Sequence, residues 1–128
     1  MAAQGGLGRR PIFKMKRFIY AFKGILTTFK TQLNFRLHLL AVLSVTIAGF
    51  LFKLNPAEWA LILLAIGLVL ALELVDTAIE SLVDIISPDY NEKAGRIKDI
   101  AAGAVLIAAI ISVFIGLIVF LPKIIALF

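Results

Sequence analysis

Three apolar runs constrain this chain more than any other feature of its sequence. They cover residues 37–54, 59–72 and 100–121, and the second run continues without a turn signal to residue 86. About 20 apolar residues match the ~30 Å hydrocarbon core of a bilayer, where a helix satisfies its backbone hydrogen bonds within the segment. Of the 128 residues, 62% are hydrophobic and 16% are charged. A soluble domain of this size cannot bury so much apolar surface, so we predict a single all-α integral membrane domain.

The elements of this domain follow from helical spacing and from helix-breaking residues. Residues 1–11 are Gly-rich, lack the apolar core of a signal peptide, and are expected to form a flexible tail. Residues 12–33 repeat aromatic and aliphatic side chains every three or four positions between lysines, which predicts an amphipathic helix in the headgroup plane. The three transmembrane helices are predicted at 37–54, 57–86 and 92–121, with prolines 56, 88 and 122 marking their limits.

The distribution of basic residues predicts the orientation in the membrane. Of the 13 Lys and Arg residues, eight precede Leu37 and three lie between the second and third spans. The positive-inside rule therefore places the N-terminus in the cytoplasm and the C-terminus on the opposite side of the inner membrane. The net charge of +5 indicates attraction to anionic headgroups, not nucleic-acid binding. Because cysteine is absent, disulfides and cysteine metal sites are excluded.

Acidic residues are concentrated on one side of the second span and in the loop after it. Seven of the eight lie between residues 73 and 99. On a helix, Glu80 and Asp84 fall about 20° to either side of Glu73, and Asp76 falls about 60° away. A carboxylate near hydrocarbon costs several kcal/mol unless it is paired, protonated or bound to a metal. The sequence thus predicts a cytoplasm-facing cation site along an acidic stripe (Glu73, Asp76, Glu80 and Asp84).

Oxygen ligands with one histidine and no cysteine suit Mg²⁺ better than zinc. Mg²⁺ beside lysines can hold ATP phosphates, and a spare carboxylate can act as general base toward a lipid hydroxyl. The GxxxxGK[ST], GxGxxG, HRD and DFG motifs are absent. A kinase is therefore one option beside a transporter subunit with an acidic relay, although these acids lie near one membrane surface.

Each of these residues also has a purely structural interpretation. Glu73 and Glu80 could pair with lysines of a neighbouring helix, and Lys98 and Asp99 could be an ordinary pair in a first helical turn. His38 is more often an interfacial or structural histidine than a ligand. Ordinary solvated charge is as plausible as function for the acids near the loop, which are Asp84, Asp89 and Glu92.

Two motifs carry a resemblance to a known family. ALELVDTAIESLVD at 71–84, followed by GRIKDIAAGAVLIAAI at 95–110, resembles the small prokaryotic diacylglycerol kinase family, which includes undecaprenol kinases. RFIYAFKGI at 17–25 and NFRLHL at 34–39 extend the match. The resemblance implies a homotrimer with interfacial active sites that transfers the ATP γ-phosphate to a membrane lipid hydroxyl, with Mg²⁺ as cofactor. Three spans are also too few to enclose a charged stripe, which favours association.

The resemblance also implies roles for individual residues. Glu73 corresponds to the catalytic base and Glu80 to a metal-binding glutamate. Lys98 and Asp99 match the family's Lys-Asp pair, with Lys98 near the phosphates and Asp99 near the lipid or the base. The residues that lie where the family's surface helix approaches the nucleotide are Lys16, Arg17 and Tyr20.

Two positions depart from the family pattern. Gln32 stands where the family usually has a metal-binding glutamate, and Asp76 stands where it usually has asparagine. One change removes a negative charge and the other adds one, so the summed charge of the site is unchanged. Our hypothesis is that Asp76 takes over metal binding while Gln32 offers a neutral carbonyl. The rival interpretation is a divergent or non-catalytic member, or one that acts on a different lipid.

Overall fold

A computed structural model describes residues 11–128, with side chains described from Met15 onward. Apart from Pro11, the predicted tail at 1–11 lies outside the described residues. The described chain is all-helical, as predicted, and three of its helices are long and apolar enough to cross a membrane. In chain order the helices are α1 (Pro11–Thr31), α2 (Leu33–Leu51), α3 (Pro56–Ile86) and α4 (Glu92–Ile125).

The chain divides into two compact units, one up to Leu33 and one from Asn34 to Phe128. In the first unit, α1 exposes large aromatic side chains such as Phe18 and Phe22. Thr28 is buried, and its hydroxyl donates to the Gly24 carbonyl at 2.9 Å. The amphipathic placement of α1 on a membrane surface remains a prediction.

Local capping decides where α2 ends and α3 begins. α2 spans Leu33–Leu51, so it starts and stops earlier than the predicted span at 37–54. Lys53 has φ 55°, a left-handed conformation that turns the chain out of the helix. Asn55 then caps α3: its side chain accepts from Glu58 N at 2.8 Å, while Asn55 N donates to Glu58 Oε1 at 3.0 Å. Pro56 occupies the first turn, where a missing N–H costs nothing.

The ends of α4 show the same dependence on local chemistry. Asn91 caps its start by accepting from Lys93 N at 2.8 Å and from Ala94 N at 3.4 Å. The helix continues through Pro122 to Ile125, past the predicted end at 121. Pro122 lies in the last turn, so its missing N–H removes one hydrogen bond from a helix that is about to end.

A small hydrophobic core joins the start of α3 to the end of α4, which shows that the two helices are antiparallel. Ile62 and Val119 are buried in this core together with Leu54 from the preceding loop. The Phe52 and Phe120 rings meet edge to face with centroids 6.0 Å apart. At the same end, Lys123 Nζ lies 3.1 Å from Glu58 Oε1.

Trp59, at the start of α3, packs against the end of α2. Its indole lies against Gly49, where an added Cβ would come within 2.5 Å of Trp59 Cη2. The Phe50 ring also contacts the indole, with centroids 5.0 Å apart. The two helices therefore form an antiparallel hairpin. Much of the remaining helix surface is apolar and exposed, as at Leu64 and Ile85, and is available to lipid or another subunit.

Candidate active site

Glu73 lies on the buried face of α3, although it is an acid in an apolar helix. It continues the row formed by Ile62, Ala65 and Val69 at spacings of three and four residues, and it is only 5% exposed. On the opposite side of α3, Leu82 is exposed. The carboxylate thus shares the buried face of α3 with aliphatic side chains, and Leu82 on the other face points outward, as expected of an intramembrane acid.

His38 of α2 contacts this carboxylate. Its Nε2 atom lies 3.5 Å from Glu73 Oε2, and the two side chains are 31% and 6% exposed. Sequence reasoning did not include His38 among the site residues, because a lone histidine in an apolar run is usually structural. Only the antiparallel hairpin of α2 and α3 brings this imidazole to Glu73, and the sequence alone carries no signal for that pairing.

Asp76 carries a buried oxygen that lacks a partner. Its Oδ1 has no hydrogen bond to any described residue. An unsatisfied buried carboxylate oxygen is costly, and a cation or a ligand proton relieves that cost. Glu80, one turn further along α3, is partly buried. This part of the acidic stripe is therefore an incomplete polar site within a single chain.

Lys98 and Asp84 form an ion pair at the end of the acidic stripe that is predicted to face the cytoplasm. Lys98 Nζ lies 2.5 Å from Asp84 Oδ1, and both side chains are partly exposed. Asp99, the next residue, is exposed and lies on a different side of α4. The structure thus places Lys98 beside the acidic stripe, where it pairs with Asp84. The sequence had left open whether Asp84 is a functional residue or an ordinary solvated charge.

Other predicted site residues belong to the first unit. Lys16, Arg17 and Tyr20 are exposed on α1, and Gln32, which directly follows α1 in the sequence, is partly buried. Within residues 15–128, no three His, Asp or Glu side chains are grouped closely enough to hold a metal ion. Mg²⁺ usually takes one or two carboxylates together with water and substrate phosphates. Asp76, with its unpartnered oxygen, fits that kind of ligand set.

An apolar groove of about 350 Å³ lies among α2, α3 and α4. His38 lines it, so the groove reaches the residue that contacts Glu73. Its lining is otherwise aliphatic or aromatic apart from Ser112, whose hydroxyl donates to the Ala65 carbonyl at 3.4 Å. The volume falls within the range of small-molecule sites, and the lining suits a hydrocarbon chain.

Together these features define a helical membrane protein with an inward-facing acidic site next to an apolar groove. Residues 19–120 match the sequence model of the family described as prokaryotic diacylglycerol kinase. The chain therefore belongs to the prokaryotic diacylglycerol kinase family, a family of membrane lipid kinases, which confirms the family predicted from the motifs.

Individual relatives agree with this assignment. The undecaprenol kinase of Bacillus subtilis (strain 168) is 47% identical over 108 residues, which cover 84% of this chain and 88% of that protein. The diacylglycerol kinase of Synechocystis sp. is 42% identical over 111 residues, covering 86% of this chain and 63% of that protein. The diacylglycerol kinase of Escherichia coli (strain K12) is 33% identical over 94 residues, covering 73% and 77%.

Proposed function

We propose that this protein transfers the γ-phosphate of ATP to the hydroxyl of a membrane lipid in a Mg²⁺-dependent reaction. The observation that carries the proposal is Glu73, a carboxylate only 5% exposed within a membrane-crossing helix. An acid is retained at such a position when it has a function or a partner. The apolar groove that reaches His38, next to Glu73, supports a substrate with a hydrocarbon tail.

In this proposal Glu73 is the general base. Its carboxylate accepts the proton of the lipid hydroxyl as that oxygen attacks the γ-phosphorus of ATP. The new O–P bond forms while the bond from the γ-phosphorus to the β–γ bridging oxygen breaks, and ADP leaves with that oxygen. The Lys98 ammonium stabilises the charge on the phosphates, and Asp99 orients the lipid or the base.

Asp76, Glu80 and Gln32 are the proposed metal ligands. Bound Mg²⁺ supplies neutralisation of the phosphate charge. The unpartnered Oδ1 of Asp76 supports this assignment, since a carboxylate oxygen buried without a donor is suited to a cation. According to our hypothesis on Gln32 and Asp76, the family usually carries a negative charge at the position of Gln32, and in this chain Asp76 carries that charge instead. On α1, Lys16, Arg17 and Tyr20 are proposed to contact the nucleotide.

The favoured acceptor is a polyisoprenoid alcohol of the undecaprenol type, with diacylglycerol as the alternative within the same reaction. The 47% identity to an undecaprenol kinase, against 42% and 33% for two diacylglycerol kinases, supports this order. Undecaprenol carries its hydroxyl at the end of an isoprenoid chain, and diacylglycerol carries one on a glycerol that bears two acyl chains, so the same base serves either alcohol.

We further propose a homotrimer in the inner membrane with the N-terminus in the cytoplasm. The wide exposed apolar surface of the single chain and the incomplete site at Asp76 support association. The excess of Lys and Arg before Leu37 supports the orientation. Chemical crosslinking in native-like membranes, resolved by mass, tests the subunit number.

Transfer of labelled phosphate from ATP to purified lipids tests the function. The full chain in mixed micelles is given undecaprenol, diacylglycerol or a long-chain alcohol, each with Mg²⁺ and with excess chelator. We expect a labelled lipid product with undecaprenol above the others, and none with chelator. No labelled lipid from any acceptor would overturn the proposal and favour a non-catalytic member of the fold or a small transporter subunit.

A further inference from the structure

The contact between His38 and Glu73 differs from the other ion pairs of α2–α4. Lys98 meets Asp84 and Lys123 meets Glu58 close to helix ends, where charged side chains reach water. His38 Nε2 lies 3.5 Å from Glu73 Oε2, and the Glu73 side chain is only 6% exposed, against 20% for Glu58 and 62% for Asp84. A partner beside so buried a carboxylate replaces contacts that water would otherwise make.

We propose that His38 is a positioning residue for Glu73. Its imidazole Nε2–H holds Oε2 of the carboxylate and leaves Oε1 directed to the substrate hydroxyl. This proposal deepens, and rests on, the proposed role of Glu73 as general base. His38 itself takes no proton from the lipid and makes no bond to phosphate.

In this proposal the contact between His38 and Glu73 shortens when substrate binds. A separation of 3.5 Å exceeds the 2.7–3.2 Å of an ordinary N–H···O hydrogen bond, and catalytic hydrogen bonds are often long before substrate binds. Glutamate has three rotatable bonds, so a buried carboxylate with no donor would occupy several rotamers. A donor fixed on the neighbouring helix selects one of them. A well-placed base then reacts faster without any change in nucleotide binding.

The groove gives a second, independent reason for a role in positioning. His38 lines this apolar space and also contacts the carboxylate, so it lies between the proposed lipid tail and the proposed base. Val42 and Val45, one and two turns further along α2, line the same groove.

The chain contains a single histidine, which makes the contact directly observable. The full chain, labelled with ¹⁵N only at histidine and reconstituted in lipid vesicles, gives the ring-nitrogen spectrum of His38 alone. We expect Glu73→Gln to shift the ring ¹⁵N resonances, because the anionic acceptor is replaced by a neutral amide. Glu58→Gln, at the other end of the same helix, is the matched control and should leave them unchanged. Identical spectra for wild type and Glu73→Gln would overturn the contact.

Kinetics test the positioning role itself. We expect His38→Leu to lower kcat about 10- to 100-fold, as loss of an orienting partner does elsewhere, with KM for ATP nearly unchanged. This loss is smaller than the ~10²–10⁴-fold expected when the base is removed. His38→Gln, whose amide nitrogen can replace Nε2 as donor, should restore most of the rate. An unimpaired His38→Leu, or a His38→Gln as slow as His38→Leu, contradicts the proposal.

The two experiments separate failure of this inference from failure of the proposed function. If the wild type phosphorylates no lipid, the positioning role falls with the kinase assignment, while the histidine spectrum still decides whether the contact exists. If His38→Leu does not fold, His38→Met takes its place as the variant without an N–H donor: a 10-fold or greater loss of kcat that His38→Gln does not share supports the role, and an unimpaired His38→Met refutes it.

Discussion

The ammonium of Lys98 lies 2.5 Å from the carboxylate of Asp84, which joins the first turns of α4 to the last turns of α3. The two residues flank the turn at 87–91. Asp84 stands one helical turn beyond Glu80 on the acidic stripe. Lys98 is therefore held at the stripe by an acid that the proposed chemistry does not use, and the pair must loosen if the ammonium is to reach a phosphate.

The Lys98–Asp84 pair predicts that substitutions of its two residues change KM for ATP in different ways. Lys98→Met should raise KM for ATP about 10-fold or more, since a charge-assisted contact to phosphate is lost. Asp84→Asn should leave KM unchanged or lower it, because the ammonium loses a competing anion. Thermal unfolding should change little for either variant, as the side chains are 37% and 62% exposed. Lys123→Met is the control for charge loss. A rise in KM with Asp84→Asn would show that the intact pair is needed.

Replacing Glu73, the proposed base, should lower the rate of phosphate transfer without lowering the stability of the protein. We expect Glu73→Gln to reduce kcat by about 10²–10⁴-fold. The midpoint of thermal unfolding in detergent should stay the same or rise, because a neutral amide is easier to bury than a carboxylate. Glu58→Gln should keep full activity. If Glu73→Gln instead lowers the unfolding midpoint and retains its rate, Glu73 is a structural acid.

The exchange between Gln32 and Asp76 predicts a rescue. Asp76→Asn alone should abolish Mg²⁺-dependent phosphate transfer, because the unpartnered oxygen proposed to hold the cation loses its charge. Adding Gln32→Glu should restore activity by returning that charge to the position the family usually uses. Rates measured across a Mg²⁺ titration check both variants. Full activity of Asp76→Asn by itself contradicts the exchange.

The contact between Gly49 and Trp59 predicts a stability effect. In Gly49→Ala the new Cβ would lie 2.5 Å from Trp59 Cη2, so the indole must move. We expect a loss of about 1–3 kcal/mol in the free energy of unfolding. At Gly67 an added Cβ meets nothing within 4 Å, so Gly67→Ala should be neutral or should stabilise α3 by up to ~1 kcal/mol. Equal effects of the two substitutions in detergent unfolding would refute the steric explanation.

Hydropathy was sufficient to predict three membrane-crossing helices and the all-helical class, because crossing a bilayer demands long apolar helices whatever their packing. Helix limits were less predictable. α2 stops at Leu51 because Lys53 turns left-handed and Asn55 caps the next helix, whereas α4 passes through Pro122. A proline in the last turn costs one hydrogen bond and does not by itself set the helix end.

The sequence by itself determined which acids share a face of α3, since helical periodicity is a local property of the chain. It also determined the family, through motifs that are each continuous in the sequence. Only the tertiary structure decided that His38 meets Glu73 and that Lys98 meets Asp84. Those pairs depend on the register of antiparallel helices, which is set by capped turns and by close contacts such as Trp59 on Gly49 rather than by residue spacing.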